Sequence, residues 1–305
     1  MKIALSDLEL YLRCPRAYKL NVLEEVLPQH KSLGLCKAAT TKKVIAALHR
    51  EYPTLHAVPT SDIEKLCDYF WQEELADPQV DQAELNTLVS QAKAATKNKS
   101  ETPAVTKAQK TLADIKSWCC GYAQWESAAK VLSSDVYFED RLGDVVFYGY
   151  LDQLREHPED GIQLVQFKTS AQLPPASYLT RDFAISLAVH AVWQGSLHLP
   201  SGEVMRLQTI PAAYCFYLPH LEHYQKNGKG KKGEIKGDPM IPVHRSQENL
   251  LDFEYELLDA VNGIRQKYFP MRVVNPCGCS LCQFTHQCRS GVAAACVPEY
   301  AEISE

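Results

Sequence analysis

No stretch of the 305 residues approaches the ~18 consecutive apolar residues that mark a membrane-spanning helix. The opening MKIALSDLELYLRCPRAY has acids close behind a short apolar stretch and no small-residue cleavage site, so it does not read as a secretory signal and the cytoplasm is the expected location. A Walker A motif is missing, so any use of ATP falls to a partner. An RNP motif, a base-reading helix and an internal repeat of fixed period are missing too. Positive charge is not in excess: Lys and Arg number 32 against 37 Asp and Glu, a net charge of −5. Contact with nucleic acid would therefore depend on a local basic field rather than on overall charge.

Apolar residues at 46% and charged residues at 23% are ordinary for a globular chain, and the length suffices for one large domain or two small ones. Helical patterns run over 6–22, with Ser6 and Glu9 spaced as a capping box, and over 36–50, 61–75, 81–95 and 104–132. The pattern then changes. Residues 136–142, 145–154 and 162–167 are rich in Val, Tyr, Phe and Leu, are separated by turn residues, and predict a three-stranded meander. A helix over 182–193, one or two strands over 204–218 and a long helix over 246–267 follow. The order predicts an α/β core with a helical insertion near the front, divided as 1–132, 133–270 and a cysteine-rich tail over 271–305.

Eleven cysteines are many for a reducing compartment, where disulfides are disfavoured and clustered cysteines point to metal ligation. The tail reads PCGCSLCQFTHQC, so Cys279, Cys282 and Cys288 are spaced C-x2-C-x5-C, with Cys277 beside them. Two intervening residues let two thiolates face one centre, which suits zinc or an iron–sulfur cluster. Cys14, at a helix end before Pro15, is the candidate for a distant fourth ligand. A zinc ribbon normally shows two CxxC pairs, and only one is present. Cys36, Cys67, Cys119, Cys120, Cys215 and Cys296 lack ligand spacing and read as small buried hydrophobes.

The middle strands carry a second pattern. Asp152 closes the apolar run Tyr148-Gly149-Tyr150-Leu151, and Gln166-Phe167-Lys168 ends the next strand. Alternation puts Gln166 and Lys168 on one face. Acids on neighbouring strands with a lysine beside them would hold a divalent cation through oxygen ligands. The same residues also read as the solvated polar ends of a hairpin.

Ser6-x4-Tyr11-x2-Cys14-Pro15-x2-Tyr18, the Phe269-Pro270 pair after the last helix and the C-x2-C-x5-C tail together resemble the RecB-like PD-(D/E)XK nucleases with iron–sulfur clusters. That group includes CRISPR-associated exonucleases and AddB-type nuclease domains. The resemblance implies a restriction-endonuclease-like α/β core clipped by a [4Fe–4S] cluster on Cys14, Cys279, Cys282 and Cys288. GYLD-x13-QFK resembles the family's G-x-x-D and (D/E)-x-K motifs. Asp152 then matches the first acid and Lys168 the lysine, while Gln166 stands where the second acid belongs. The implied catalytic set is Asp152, Gln166 and Lys168, with Mg²⁺ or Mn²⁺ at Asp152 and Gln166. Gln166 reads either as a natural loss of catalysis or as a Glu→Gln replacement. The family's Gln-x3-Tyr pair falls on Ser186 and His190, and its upstream histidine falls near Ile45, one turn before His49. His190 lies in an apolar stretch and reads as a core histidine, and His49 as a surface residue. Residues 50–132 match nothing in the resemblance.

The implied function is a metal-dependent nuclease acting on DNA ends or single strands. A second reading is a catalytically silent relative that binds DNA or assembles with DNA-processing or CRISPR-type proteins; a third is a zinc-stabilised interaction protein. Lysines and glycines over 226–236 form a cationic loop. Lys229, Lys231 and Lys232 are its candidate phosphate contacts, unless the loop is only a solvated connector.

Overall fold

The computed structural model describes residues 1–26, 31–52, 55–90, 104–125, 129–221 and 239–271, together with Cys282, Phe284 and Cys288. The chain enters through a short strand β1 (Lys2–Ala4) that runs directly into α1 (Leu5–Arg13). The helical pattern expected over 6–22 is broken in two. Cys14 is extended (φ −158°, ψ 104°) because the residue before a proline is forced out of the helical region, and α2 (Pro15–Tyr18) starts at that proline. Ser6 is not the cap: Ala4 holds that position, and the Ser6 hydroxyl donates to Asp7 instead.

The front helices are α3 (Leu33–Glu51), α4 (Thr60–Leu75), the short α5 (Gln82–Asn86) and α6 (Lys107–Gln124). Two of the expected spans were too long. The pattern over 81–95 gives only α5 before a strand β2 (Leu88–Ser90), and that over 104–132 opens as strand β3 (Ala104–Thr106) paired to β2. Thr106 ends β3 and caps α6 in a reciprocal capping box with Gln109, a local signal stronger than the helical periodicity before it.

The meander forms as long strands: β4 (Lys130–Leu142), β5 (Val145–His157) and β6 (Gly161–Lys168), all antiparallel. After α7 (Ala176–Leu179) and α8 (Phe183–Gln194) come β7 (Ser196–His198), β8 (Val204–Met205), β9 (Ala212–Tyr217) and β10 (Met240–Val243). The chain then enters α9 (Gln247–Arg265). Among the described residues the sheet has eight strands in the order β10-β9-β6-β5-β4-β7-β8, with β1 pairing in parallel to β5. Strands β1, β7 and β10 were not expected; each has four residues or fewer, too short for alternation to show.

Helices cover both faces. Leu8, Tyr11, Leu187, Val189, Phe253 and Leu257 of α1, α8 and α9 pack on one face with Leu151 and Leu164. On the other, Ile45, Trp118 and Tyr122 of α3 and α6 meet Val165, Phe167 and Phe216. The adjacent residues Leu164 and Val165 thus serve opposite layers, as a strand buried on both faces requires. Cys36, Cys67, Cys119 and Cys215 are fully buried, as apolar filling.

The two chain ends meet beside α9. Gly263 lets α9 approach α1: a Cβ there would lie 2.1 Å from the Tyr11 hydroxyl oxygen. That hydroxyl donates to the Tyr268 carbonyl (3.0 Å), the Arg16 amide donates to the Pro270 carbonyl (3.3 Å), and Tyr18 stacks on Phe269.

Candidate active site

Strand β5 changes partners midway. Its first half pairs with β1, from Lys2↔Val146 to Ala4↔Tyr148, and its last residues pair with β6, from Gln153↔Val165 to His157↔Gly161. Gly149 lies where β1 turns into α1. A Cβ there would stand 3.0 Å from the Leu5 Cβ and 3.1 Å from the Phe138 ring, so the close helix approach favours glycine. Asp152 stands three residues on, between the end of the β1 pairing and the start of the β6 pairing.

The Asp152 carboxylate is mostly buried, at 13% exposure, and engaged on both oxygens. Oδ2 accepts from the Phe167 amide at 2.9 Å, and Oδ1 lies 2.7 Å from Lys42 Nζ of α3. Extending the β5–β6 register by one step sets Gln166 opposite Asp152. Lys168 Nζ donates to Gln166 Oε1 at 3.1 Å and lies 3.7 Å from Asp182 Oδ2, at the N-cap of α8. Asp152, Gln166 and Lys168 therefore share one end of the β5–β6 pair.

Four charged neighbours were not visible in the sequence. Lys42 and Asp182 come from helices remote in the chain. Glu9 of α1 has its carboxyl pushed up by burial and by Asp182, against Lys168, Arg13 and Lys42. Asp135 stands opposite Asp152 by the β4–β5 register, next to the irregular step between Val131 and Ser133, with a left-handed φ of 58°. Burial raises its pKa, Asp152 adds to the rise, and Arg50 and Lys42 oppose it. Only Asp182 left a signal, as the residue opening a helical pattern.

The donor chemistry suits a hard divalent ion: a carboxylate from Asp152 and an amide oxygen from Gln166 are oxygen ligands of the kind Mg²⁺ takes while keeping several waters. The set carries one firm negative charge. Among the described residues no group of three or more His, Cys, Asp or Glu is arranged to hold a metal.

Other expected positions fall away from this cluster. Ile45 is buried core, and Lys42, not a histidine, is the α3 side chain that meets the site. His49 is no surface residue: its Nε2 pairs with the Tyr122 hydroxyl at 2.7 Å, and burial, then Arg155, pushes its pKa down to about 4. His190 is a core histidine, its Nδ1 2.5 Å from Asp140 and its Nε2 3.0 Å from Glu254. Burial disfavours its charge, but those two carboxylates outweigh burial and raise its pKa. Ser186 is buried and accepts from Arg245 Nε at 2.9 Å.

Cys14, Cys282 and Cys288 all pack against one small apolar cluster of Ala17, Leu20 and Phe284. Cys277, Cys279 and the loop bearing Lys229, Lys231 and Lys232 lie outside the described residues. No described helix is long and apolar enough to cross a membrane.

The chain matches the family described as PD-(D/E)XK nuclease superfamily over residues 2–289. No curated protein matches the chain significantly.

Proposed function

The chain belongs to the PD-(D/E)XK nuclease superfamily, and from that premise we propose that it is a metal-dependent DNA nuclease of the RecB-like iron–sulfur class, acting on strand ends or single strands. The observation that carries this reading is the meeting of Asp152, Gln166 and Lys168 at one end of the β5–β6 pair. Asp152 and Gln166 would hold Mg²⁺ or Mn²⁺, which supplies Lewis-acid chemistry at the phosphate. The Phe167 amide fixes the orientation of the Asp152 carboxylate. Lys168, steadied by Gln166 and Asp182, orients the attacking water or offsets charge developing on the phosphate oxygens. Lys229, Lys231 and Lys232 are proposed to contact phosphates without reading sequence.

The test is a nuclease assay on wild type, Gln166→Glu, and Gln166→Glu combined with Asp152→Ala or Lys168→Ala, over a titration of Mg²⁺ and Mn²⁺. Gln166→Glu is expected to raise cleavage, and either added substitution to abolish the gain. A folded Gln166→Glu protein that cleaves with neither metal defeats the catalytic reading.

A second reading then stands: a silent relative that binds DNA or assembles with DNA-processing or CRISPR-type proteins. Two observations favour it, the neutral amide at 166 and the Lys42 ammonium on Asp152.

We propose a [4Fe–4S] cluster on Cys14, Cys279, Cys282 and Cys288, with Cys277 the rival of Cys279. The packing of Cys14, Cys282 and Cys288 against one patch supports it, as do the contacts joining residues 11–18 to 268–270. A zinc-stabilised interaction protein is the reading favoured by zinc without iron. The proposed regions are 1–132, helical with β1 reaching into the sheet, 133–270, nuclease-like, and 271–305, the cluster tail.

A further inference from the structure

On the α3–α6 side of β4 and β5 lies a cavity of about 530 Å³, walled by α3, the end of α6, the start of β4, and the 199–201 turn. Among the described residues its lining includes Arg50, Lys130 and Arg155 and not one Asp or Glu, in a chain with more acids than bases. Arg155 is the unusual group. Its side chain is among the largest that are fully buried, at 1% exposure, and among the described residues none of its bonds is to a carboxylate. Nε donates to Gln153 Oε1 at 2.5 Å, Nη2 to the Tyr122 hydroxyl at 3.3 Å, and Nη1 reaches only the Met240 sulfur at 3.6 Å. The guanidinium lies over the Trp125 ring at 5.3 Å and the Phe216 ring at 6.0 Å.

Burying a guanidinium without a counter-charge is costly, and neutral hydrogen bonds and ring faces offset that only in part. Among the described residues this buried cation is bonded to no acid, so the compensating charge is inferred to arrive with a ligand in the cavity that it lines. Arg50 and Lys130 stand on the same lining, Arg50 within electrostatic reach of Asp135, and Ser133 and Ser134 add hydroxyls. The Trp125 and Tyr52 rings supply flat apolar wall.

We propose that this cavity binds a phosphomonoester, carried either by a free nucleotide or by the end of a DNA strand, with Arg155 at its base and Arg50 and Lys130 at its rim. Arginine suits this role because its planar fork meets two phosphate oxygens at once. The cavity adjoins the candidate centre: Gln153, next to Asp152, donates to Ser134 at 3.0 Å, and Arg50 acts on Asp135, opposite Asp152. A strand end held there would set where along the strand the centre acts. The strand-end form rests on the nuclease reading; binding of the phosphomonoester itself does not.

The experiment is calorimetric titration of the intact protein in EDTA, so that no cleavage takes part. The probes are inorganic phosphate, deoxyadenosine monophosphate, and one short single strand bearing a 5′-phosphate, a 3′-phosphate or only hydroxyl ends. Saturable binding of a phosphorylated probe is expected, and Arg50→Ala and Arg155→Met should each weaken it at least about tenfold, the effect of one lost charge-assisted hydrogen bond. Preference for a phosphorylated over a hydroxyl-ended strand assigns the site to strand ends, and binding of the mononucleotide alone assigns it to free nucleotide. Should Arg155→Met fail to fold, Arg50→Ala and Lys130→Ala, both at the rim, carry the same test. No saturable binding of any phosphorylated probe, or unchanged affinity in the folded variants, overturns the proposal. Either result leaves the cleavage assay on Gln166→Glu unaffected.

Discussion

Lys42 Nζ lies 2.7 Å from Asp152 Oδ1, so a helix side chain already occupies one oxygen of the carboxylate proposed to ligate a divalent ion. An ammonium and a metal ion compete for the same oxygen and repel each other. Lys42→Gln should therefore tighten Mn²⁺ binding several-fold, and without metal it should lower the melting temperature, because Asp152 is only 13% exposed and loses its counter-charge. Mn²⁺ titration by calorimetry reads the effect. Weaker Mn²⁺ binding in Lys42→Gln would mean instead that Lys42 holds Asp152 in its ligating orientation.

The pH dependence of stability should carry the mark of His49. Its folded pKa, about 4, lies below the ordinary 6.5, first through burial and then through Arg155. As pH falls below 6.5 the unfolded chain binds a proton that the folded chain refuses, so stability is lost until the folded pKa is reached. The loss approaches ~3 kcal/mol before solvent screening reduces it. His190 has the opposite sign. Its raised pKa gives stability that is complete below 6.5 and lost as pH rises through the folded value. Denaturant melts of wild type and His49→Gln between pH 7 and pH 4 should show a flatter acid limb in the variant. Parallel curves would mean that His49 takes a proton in the folded protein.

Gly263 sets how closely α9 approaches α1. Alanine is the better helix former by about 1 kcal/mol, but its Cβ would lie 2.1 Å from the Tyr11 hydroxyl oxygen. Tyr11 has little room to yield, since it is 4% exposed, bonded to the Tyr268 carbonyl and packed edge-on against Tyr18 and Phe269. Overpacking should win, and Gly263→Ala should destabilise by roughly 1–3 kcal/mol. Adding Tyr11→Phe removes the clashing oxygen, so the double variant should lose less than the sum of the two single losses. Strict additivity in equilibrium melts would show that the clash is relieved elsewhere.

The proposed cluster predicts colour. Anaerobically purified protein should contain about four irons per chain, as a [4Fe–4S] centre requires, with sulfide and a broad visible band. Cys14→Ala should lose both and become sensitive to protease, because ligation across the chain ends contributes directly to folding. Colourless protein with one zinc and no iron would favour the zinc-stabilised reading.

Much of the fold was legible because it rests on local pattern. The strands of the meander are apolar, β-branched and aromatic runs of eight residues or more bounded by turn residues, and α3, α4, α8 and α9 each carry an uninterrupted helical pattern. The errors fell where a local rule overrode periodicity, as at Pro15 and at the Thr106 capping box, or where a strand was too short to show alternation.

The candidate site divides in the same way. By itself the sequence brought Gln166 and Lys168 to one face, because side chains alternate along a strand, and marked Asp152 through its motif. It could not reveal Lys42, Glu9, Asp135 or Asp182 beside them, nor a buried Arg155 that is bonded to no carboxylate among the described residues. Those relationships depend on which helix crosses which strand and at what register. Helix crossing and strand register are settled by the packing of distant apolar faces, such as Ile45 and Tyr122 on Phe167, and no pattern of neighbours along the chain encodes them.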